Sequence, residues 1–317
     1  MRITDSLLLP VLTAGLLGLC SAPAALAQDW PQGAGPHGHW GAVGPAPPLH
    51  FSVRSGDHIR WKTALPETGQ GGIAVIGDRI FVATMAPWDP ETGGLSAEDA
   101  ARFSHAVEKR QVVGKGIDAH CLDASTGKVL WTRRIDGTVP SIYSYPFSDA
   151  TSASPVADES HVWFTNAGGT TVCFNHTGDE AWRRTFDPTI AGPFNKQFEP
   201  FLVRDGDVPV LVSMEPFAAP GEPSDAASKQ RWHHLVGLDA RSGEFRWKSD
   251  DALTHYNAPT LVEREAGPAL LIGRGGPHAV PERPVGMSMV ALTGESAGKS
   301  LWRFEDPRAA TVKGHEA

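Results

Sequence analysis

Cysteine is almost missing from this chain, and its scarcity removes whole classes of function. There are three cysteines in 317 residues, and one of them, Cys20, sits in the leading apolar stretch. The remaining pair, Cys121 and Cys173, is too small a set for the disulfide framework of small secreted domains. The two read best as small buried apolar side chains, with a bridge between them as the alternative. Basic runs are missing as well. The balance is acidic, with net charge −8, which argues against nucleic acid and against an anionic membrane surface. No G-x-S-x-G, H-E-x-x-H or phosphate-binding glycine loop is present. The close histidine pairs His37/His39 and His233/His234 lack a third partner at ligand spacing, and two neighbours on a strand point to opposite faces. No metal site is expected. Nothing reads as a long amphipathic helix. With ten Trp, 34 Gly and 26 Pro but only three Tyr, the composition suits a turn-rich β protein.

The first 27 residues read as an export signal. Arg2 gives a positive start, Leu7 to Ala22 is apolar, and Ala25-Leu26-Ala27 forms an A-x-A cleavage site before Gln28. The stretch is short and broken by Pro10, unlike a membrane anchor. Leu19 before Cys20 is a poor match to a lipoprotein site. The expectation is an exported protein, periplasmic or secreted, with no membrane span. The mature chain, roughly 290 residues, suffices for one large all-β domain or two small ones. Residues 28–57 form a Gly/Pro-rich entry segment in which Trp30 and Trp40 are expected to dock. Residues 306–317 form a tail.

Between them lies a repeat. Residues 153–186 hold four short β-type runs separated by Asp158-Glu159-Ser160, Gly168-Gly169 and Asn175-His176-Thr177-Gly178. Turn residues between β-branched and aromatic runs describe a four-stranded antiparallel meander. The pattern recurs from Gly72 to Ile135, from Pro200 to Lys248 and from Ala258 to Phe304, each time with a glycine-containing turn ahead of a tryptophan strand. Trp61, Trp131, Trp182, Trp247 and Trp302 therefore recur every ~50–70 residues. His58–Leu65 reads as an isolated strand carrying Trp61. One such sheet cannot bury both of its faces, so the repeats are expected to pack radially as blades of an all-β propeller, with each Trp wedged between blades. A β-sandwich is the competing architecture, but sandwiches rarely show such self-similarity.

Leu122 to Trp131 (LDASTGKVLW) and Leu238 to Trp247 (LDARSGEFRW) resemble the tryptophan-docking repeat of PQQ-like (pyrroloquinoline-quinone-type) β-propellers. The segments NHTGDEAW and LTGESAGKSLW are degenerate copies. The stretch DWPQGAGPHGHW is similar to the DWPQWRGP-type opening of exported PQQ-like repeat proteins, with Gly33 and Ala34 replacing Trp and Arg. The resemblance implies blades over 58–305. Family members have six to eight blades, and an N-terminal fourth strand usually completes the last of them. Here the fourth blade already owns Trp302, which implies a fragment or truncated propeller; a closed four-bladed ring with an extra edge strand is the alternative. The dehydrogenases of the family also carry an adjacent Cys-Cys ring, an Asp base and a Ca²⁺ site, and no adjacent cysteines occur here. The expectation is a non-catalytic binding or scaffold module for an envelope protein or extracellular ligand, with no cofactor. A PQQ-dependent dehydrogenase-like quinoprotein, with PQQ and Ca²⁺, is the alternative.

Meander topology sends the longer connections to one face, namely Ala86–Gly116, Asp136–Thr151, Asp187–Glu199, Glu215–Trp232, Ser249–Asn257 and Gly273–Gly286. Function on such scaffolds tends to sit in loops of this kind. Tyr143 and Tyr145 offer stacking surfaces for a sugar or a quinone-like ring. Lys196, Arg274 and Arg283 offer cations for a carboxylate or phosphate. His255, Tyr256, Asn257 and His278 offer proton donors and acceptors near neutral pH.

Overall fold

The structure is a computed structural model that describes residues 29–42, 44, 46, 48–87, 113–142, 149–188, 198–218, 231–251, 253, 258–274 and 286–307. Among the described residues sixteen strands form four antiparallel sheets, each a simple meander. Blade 1 contains β1 (Ile73–Ile76), β2 (Arg79–Met85), β3 (Val113–Asp123) and β4 (Val129–Ile142). Blade 2 contains β5 (Val156–Ala157), β6 (His161–Asn166), β7 (Thr170–Asn175) and β8 (Glu180–Thr185). Blade 3 contains β9 (Phe201–Asp205), β10 (Val208–Ala218), β11 (Arg231–Asp239) and β12 (Phe245–Lys248). Blade 4 contains β13 (Thr260–Val262), β14 (Ala269–Arg274), β15 (Gly286–Ala291) and β16 (Ser300–Glu305). The described residues form an all-β propeller fold of four four-stranded blades.

The turn before each tryptophan strand is built by a side chain that imitates backbone. Asp123 Oδ1 accepts from the amides and hydroxyls of Ser125 and Thr126 at 2.6–3.0 Å. Those hydrogen bonds, led by the one from the Ser125 side chain, hold the Asp123 carboxyl down at about 2. Asn175 Oδ1 does the same for Thr177 and Asp179, and Asp239 Oδ1 for Arg241 and Ser242. The turns then need a left-handed residue, supplied by Gly127 at φ +74°, Gly178 at +85° and Gly243 at +75°.

These glycines have a second use, because each lies under a tryptophan from the preceding unit. A Cβ on Gly243 would fall 2.6 Å from the Trp182 ring, and one on Gly178 would fall 3.0 Å from Trp131. The indole then donates to a main-chain carbonyl of the same turn. Trp131 Nε1 reaches the His176 carbonyl at 2.9 Å and Trp182 Nε1 reaches that of Ala240 at 2.9 Å. Trp61 makes the same contact with blade 1, donating to the Ala124 carbonyl at 3.0 Å with its ring over Gly127. Trp247 meets a different turn. Thr293 stands where Asp or Asn heads the others, a 3-10 turn spans Gly294–Ser296, and Trp247 Nε1 finds no acceptor among the described residues.

Each tryptophan ends a cross-strand row that faces the next blade. In blade 1 the row is Ala74, Phe81, Cys121 and Trp131. In blade 2 it is Val156, Trp163, Cys173 and Trp182, and in blade 3 it is Phe201, Val212, Gly237 and Trp247. Directly opposed residues share a face, so each row forms one wall of an interblade core. The first two walls are buried throughout. Cys121 and Cys173 are free thiols in matching slots. Burial first of all pushes them up to about 11 and about 12, as befits apolar packing residues.

The entry segment has a structural role that its composition concealed. Trp30 pairs its backbone with Val75 of β1 at 2.8 and 2.7 Å. The Pro31 carbonyl accepts from Ala157 of β5, Gln32 Oε1 from Leu202 of β9, and the Gly38 carbonyl from Leu261 of β13. One strap therefore satisfies the open edge of the first strand in all four blades, edges that would otherwise present unpaired amides. Trp30 docks as expected, whereas Trp40 remains half exposed.

Two expectations need correction. His58 sits in a turn at φ +51°, and residues 59–65 pair with no strand among the described residues; Trp61, on the Ala124 carbonyl, and Thr63 Oγ1, donating to the Gly127 carbonyl, fasten them to blade 1. The connections around 113–116, 136–142, 215–218 and at 231 are strand and not loop, because β3/β4 and β10/β11 run on as long hairpins. The leader, residues 1–27, lies outside the described residues, as does most of the tail.

Two contrasts check this packing. Trp131→Ala is expected to cost about 3–5 kcal/mol in urea unfolding, the usual range for a buried indole, while Trp302→Ala should stay within about 0.5 kcal/mol. Gly243→Ala should destabilise more than Gly206→Ala, because Gly206 at φ +61° has open space around its Cβ position and bears only the backbone term of about 1–2 kcal/mol.

Candidate functional site

Two polar regions flank the strap, one at each end of the blades. At the end carrying the short turns, a cleft of about 770 Å³ opens between the strap and blades 2 and 3. Asp29, Gln32, Glu159, His161, Arg204 and Arg241 supply its polar lining, and Trp163 and Leu202 part of its apolar lining. Each wall is set by local chemistry. Asp29 is fixed by accepting from the Gly77 amide at 2.8 Å. The turn at Asp158 closes because its carboxylate accepts from the Ser160 and His161 amides, both at 2.8 Å. Ser160 Oγ lies 2.9 Å from His161 Nδ1, but the same hydroxyl is engaged by Asp158 at 3.1 Å, so the contact belongs to the turn. Arg241 leans on the Asp207 carbonyl at 3.3 Å. A wide lining with charges of both signs and apolar patches suits a polypeptide surface better than a single small anion.

At the opposite end the inner strands are entered through a buried polar web. Asp149 accepts from the Thr151 amide and hydroxyl at 2.8 and 2.5 Å, and Thr151 Oγ1 accepts from the Gln70 amide at 2.8 Å. Ser154 Oγ accepts from the Gly72 amide, and the Ser154 amide donates to Glu199. Burial, the largest cause in both, raises the Asp149 and Glu199 carboxyls above the ordinary carboxylate range. The strap presses on this web. A Cβ on Gly33 would fall 2.3 Å from Glu199 Oε2, and Ala34 is fully buried. The substitutions that set this opening apart from the DWPQWRGP pattern are therefore the residues that this close approach requires.

Of the candidate ligand contacts, Arg274 is described, and it is occupied. Its Nε and Nη2 meet Asp251 at 2.6 and 2.9 Å, and Nη1 meets Glu305 at 3.1 Å. Buried Ser288 and exposed Arg303 complete this cluster on the buried Asp251. Arg274 thus binds carboxylates of its own chain, a buried pairing in which removing one partner strands the other. Tyr143, Tyr145, Lys196, His255, Tyr256, Asn257, His278 and Arg283 lie outside the described residues. The short-turn cleft was missed in the sequence. Its parts are ordinary turn residues scattered from Asp29 to Arg241, and no local signal joins them.

The family model described as "Outer membrane protein assembly factor BamB" matches residues 50–249 and 121–303. The chain belongs to this family. No curated protein matches it. Among solved structures it is similar to BamB from Moraxella catarrhalis, at 16% identity and TM-score 0.33, covering 78% of this chain and 67% of that one. It is also similar to the quinohemoprotein alcohol dehydrogenase of Comamonas testosteroni, at 12% identity and TM-score 0.42, covering 90% of this chain and 50% of that one. A second quinohemoprotein alcohol dehydrogenase, from Pseudomonas putida HK5, shows 14% identity and TM-score 0.39, with 78% and 43% covered. The chain thus spans half or less of the length of these dehydrogenases.

Cys121 and Cys173 sit buried in separate blades, so they do not form an adjacent pair. No group of three or more His, Cys, Asp or Glu among the described residues could hold a metal ion.

His234, in β11, gives the region a pH signature. Its Nδ1 donates to the Ser249 carbonyl at 2.8 Å, and burial pushes it down to about 4. Between pH 4 and about 6.5 the unfolded chain binds this proton and the folded chain does not. The contribution is complete above about 6.5 and is lost as pH falls toward 4. His234→Gln, which keeps a donor, should flatten the wild-type loss of stability over that window by on the order of 3 kcal/mol, read from urea midpoints at matched pH.

Proposed function

We propose that this chain is an exported, non-catalytic binding or scaffold module of the cell envelope, and that its partner is another envelope protein. The observation that carries this reading is the strap. Residues 29–40 place hydrogen bonds on the inner strand of every blade, through main chain at blades 1, 2 and 4 and through the Gln32 side chain at blade 3. Binding is left to outer surfaces, where the short-turn cleft offers mixed charge and apolar area on a rigid frame. Membership in a family named for outer membrane protein assembly supports a protein partner of that kind. Export rests on the leader read in the sequence, and no helix among the described residues is long and apolar enough to cross a membrane. The long-connection face, with Tyr143, Tyr145, Lys196, His255, Tyr256, Asn257, His278 and Arg283, stands as a second partner surface on the same module.

The test separates binding from catalysis. A photo-crosslinking residue placed at Glu159 or Arg204 should yield a discrete adduct with one envelope protein in cells, and the same residue at exposed Leu49 should not. Purified protein given PQQ and Ca²⁺ should show neither bound-cofactor absorbance nor dye-linked alcohol oxidation. Turnover with PQQ would overturn the proposal, and equal crosslinking at all three positions would remove the cleft from it.

A further inference from the structure

The turns around the short-turn cleft divide its charge by wall. On the blade 3 side the Ala240 amide donates to the Pro209 carbonyl at 2.9 Å, which lays the β11–β12 turn against the β9–β10 turn. Arg241 reaches back to the Asp207 carbonyl at 3.3 Å, and Arg204 stands opposite Pro209 in the β9–β10 register. Two exposed guanidinium groups therefore share this wall. The carboxylates beside them are largely spent. Asp205 takes Arg246 and the Gly294 amide, both at 2.9 Å, and Asp239 Oδ1 accepts from the Arg241 and Ser242 amides of its own turn. Asp207, exposed, is the remaining acid of the β9–β10 turn. On other strands arginine is matched to acid, as in Arg134–Asp118, Arg184–Glu215 and Arg274–Asp251. Among the described residues Arg204 and Arg241 form no ion pair, in a chain of net charge −8.

The opposite wall has the other sign. Glu159, in the β5–β6 turn, is exposed and makes no ion pair among the described residues, and Asp29 of the strap adds to it. Between the walls lie Trp163 and Leu202. The Ala157 and Leu202 amides in the floor are already taken by the strap, so a ligand here is held by its side chains and not by adding a strand. A polyanion meets Glu159 and Asp29 at like charge, and a lone small anion leaves the apolar floor unused. Resting on the reading of this cleft as a partner surface, we infer that the partner enters it as a bipolar polypeptide segment. An acidic side chain of that segment lies on Arg204 and Arg241, apolar side chains lie over Trp163 and Leu202, and a basic side chain lies on Glu159. Guanidinium groups suit the acidic end because they bind carboxylate in bidentate fashion. Opposite signs on the two walls also fix the direction in which the segment runs.

Selection of phage-displayed random decapeptides on the purified full chain tests this. Enriched peptides are expected to carry Asp or Glu on one side of an apolar stretch and Lys or Arg on the other, in one constant order. One such peptide, synthesised with a fluorescent label, should lose about tenfold in affinity by anisotropy with Arg204→Gln and again with Arg241→Gln. Changing its acid to the amide should weaken binding to the unmodified chain and change nothing further in the double variant. Arg54→Gln, at an exposed arginine outside the cleft, should have no effect. If Arg241→Gln disturbed the fold by circular dichroism, Arg241→Lys, which keeps the charge and loses the fork, would replace it and should still weaken binding. No enriched peptide, binding indifferent to both arginines, or tighter binding of polyglutamate than of the bipolar peptide overturns the inference. Crosslinking from Glu159 in cells that persists with Arg204→Glu and Arg241→Glu would sink this charge reading and leave the binding module standing. The expected peptide pattern with no crosslinked partner in cells would do the reverse.

Discussion

The structure depends on one contact, an indole laid over a glycine turn with its N–H on that turn's carbonyl. Three demands meet there. The turn needs a left-handed residue, the ring needs a neighbour without a side chain, and the buried N–H needs an acceptor. A glycine following an Asp- or Asn-headed turn answers the first two, and the strained turn geometry aims a free carbonyl for the third. Because the tryptophan and the turn that receives it belong to successive blades, the contact is also the connector of the ring. Its partial failure at Trp247, where the turn is rebuilt around Thr293, shows how closely the acceptor follows turn chemistry.

The strap works at the opposite edge of every sheet. A propeller blade has two edge strands, and the outer ones face solvent while the inner ones crowd together. Satisfying the inner edges with residues 29–40 replaces water in a confined space by protein hydrogen bonds, and it ties four sequentially separate blades into a single unit. The polypeptide nearest the inner strands is therefore structural.

Charge follows the same division. The buried Arg274–Asp251 pair with the exposed Glu305, and the Arg184–Glu215 pair joined at 3.1 and 3.0 Å, hold outer strands to their neighbours. The carboxyls of Asp149 and Glu199 brace the entrances to the inner strands under the strap. The mixed charges of the short-turn cleft are the ones left facing outward.

Much of this was legible in the sequence. Hydrophobic alternation bounded by turn residues located nearly every strand, and the recurring Gly-turn-Trp element disclosed the blades, because both depend on local spacing. The equivalence of Cys121 and Cys173 followed from the same register. What the sequence could not disclose were contacts between residues far apart in the chain. The Trp61 segment has the composition of a strand, yet among the described residues it pairs with none and is held to blade 1 through Trp61 and Thr63. Arg274 looked like a ligand cation until folding brought Asp251 and Glu305 to it. The strap read only as a Gly/Pro-rich entry segment because its partners are four strand edges spread over most of the chain. The amino-acid order by itself determined the blade, since each turn and tryptophan acts within its own repeat. Only the tertiary structure decided which faces are covered and which stay open, since coverage is a property of neighbours and no residue carries it alone.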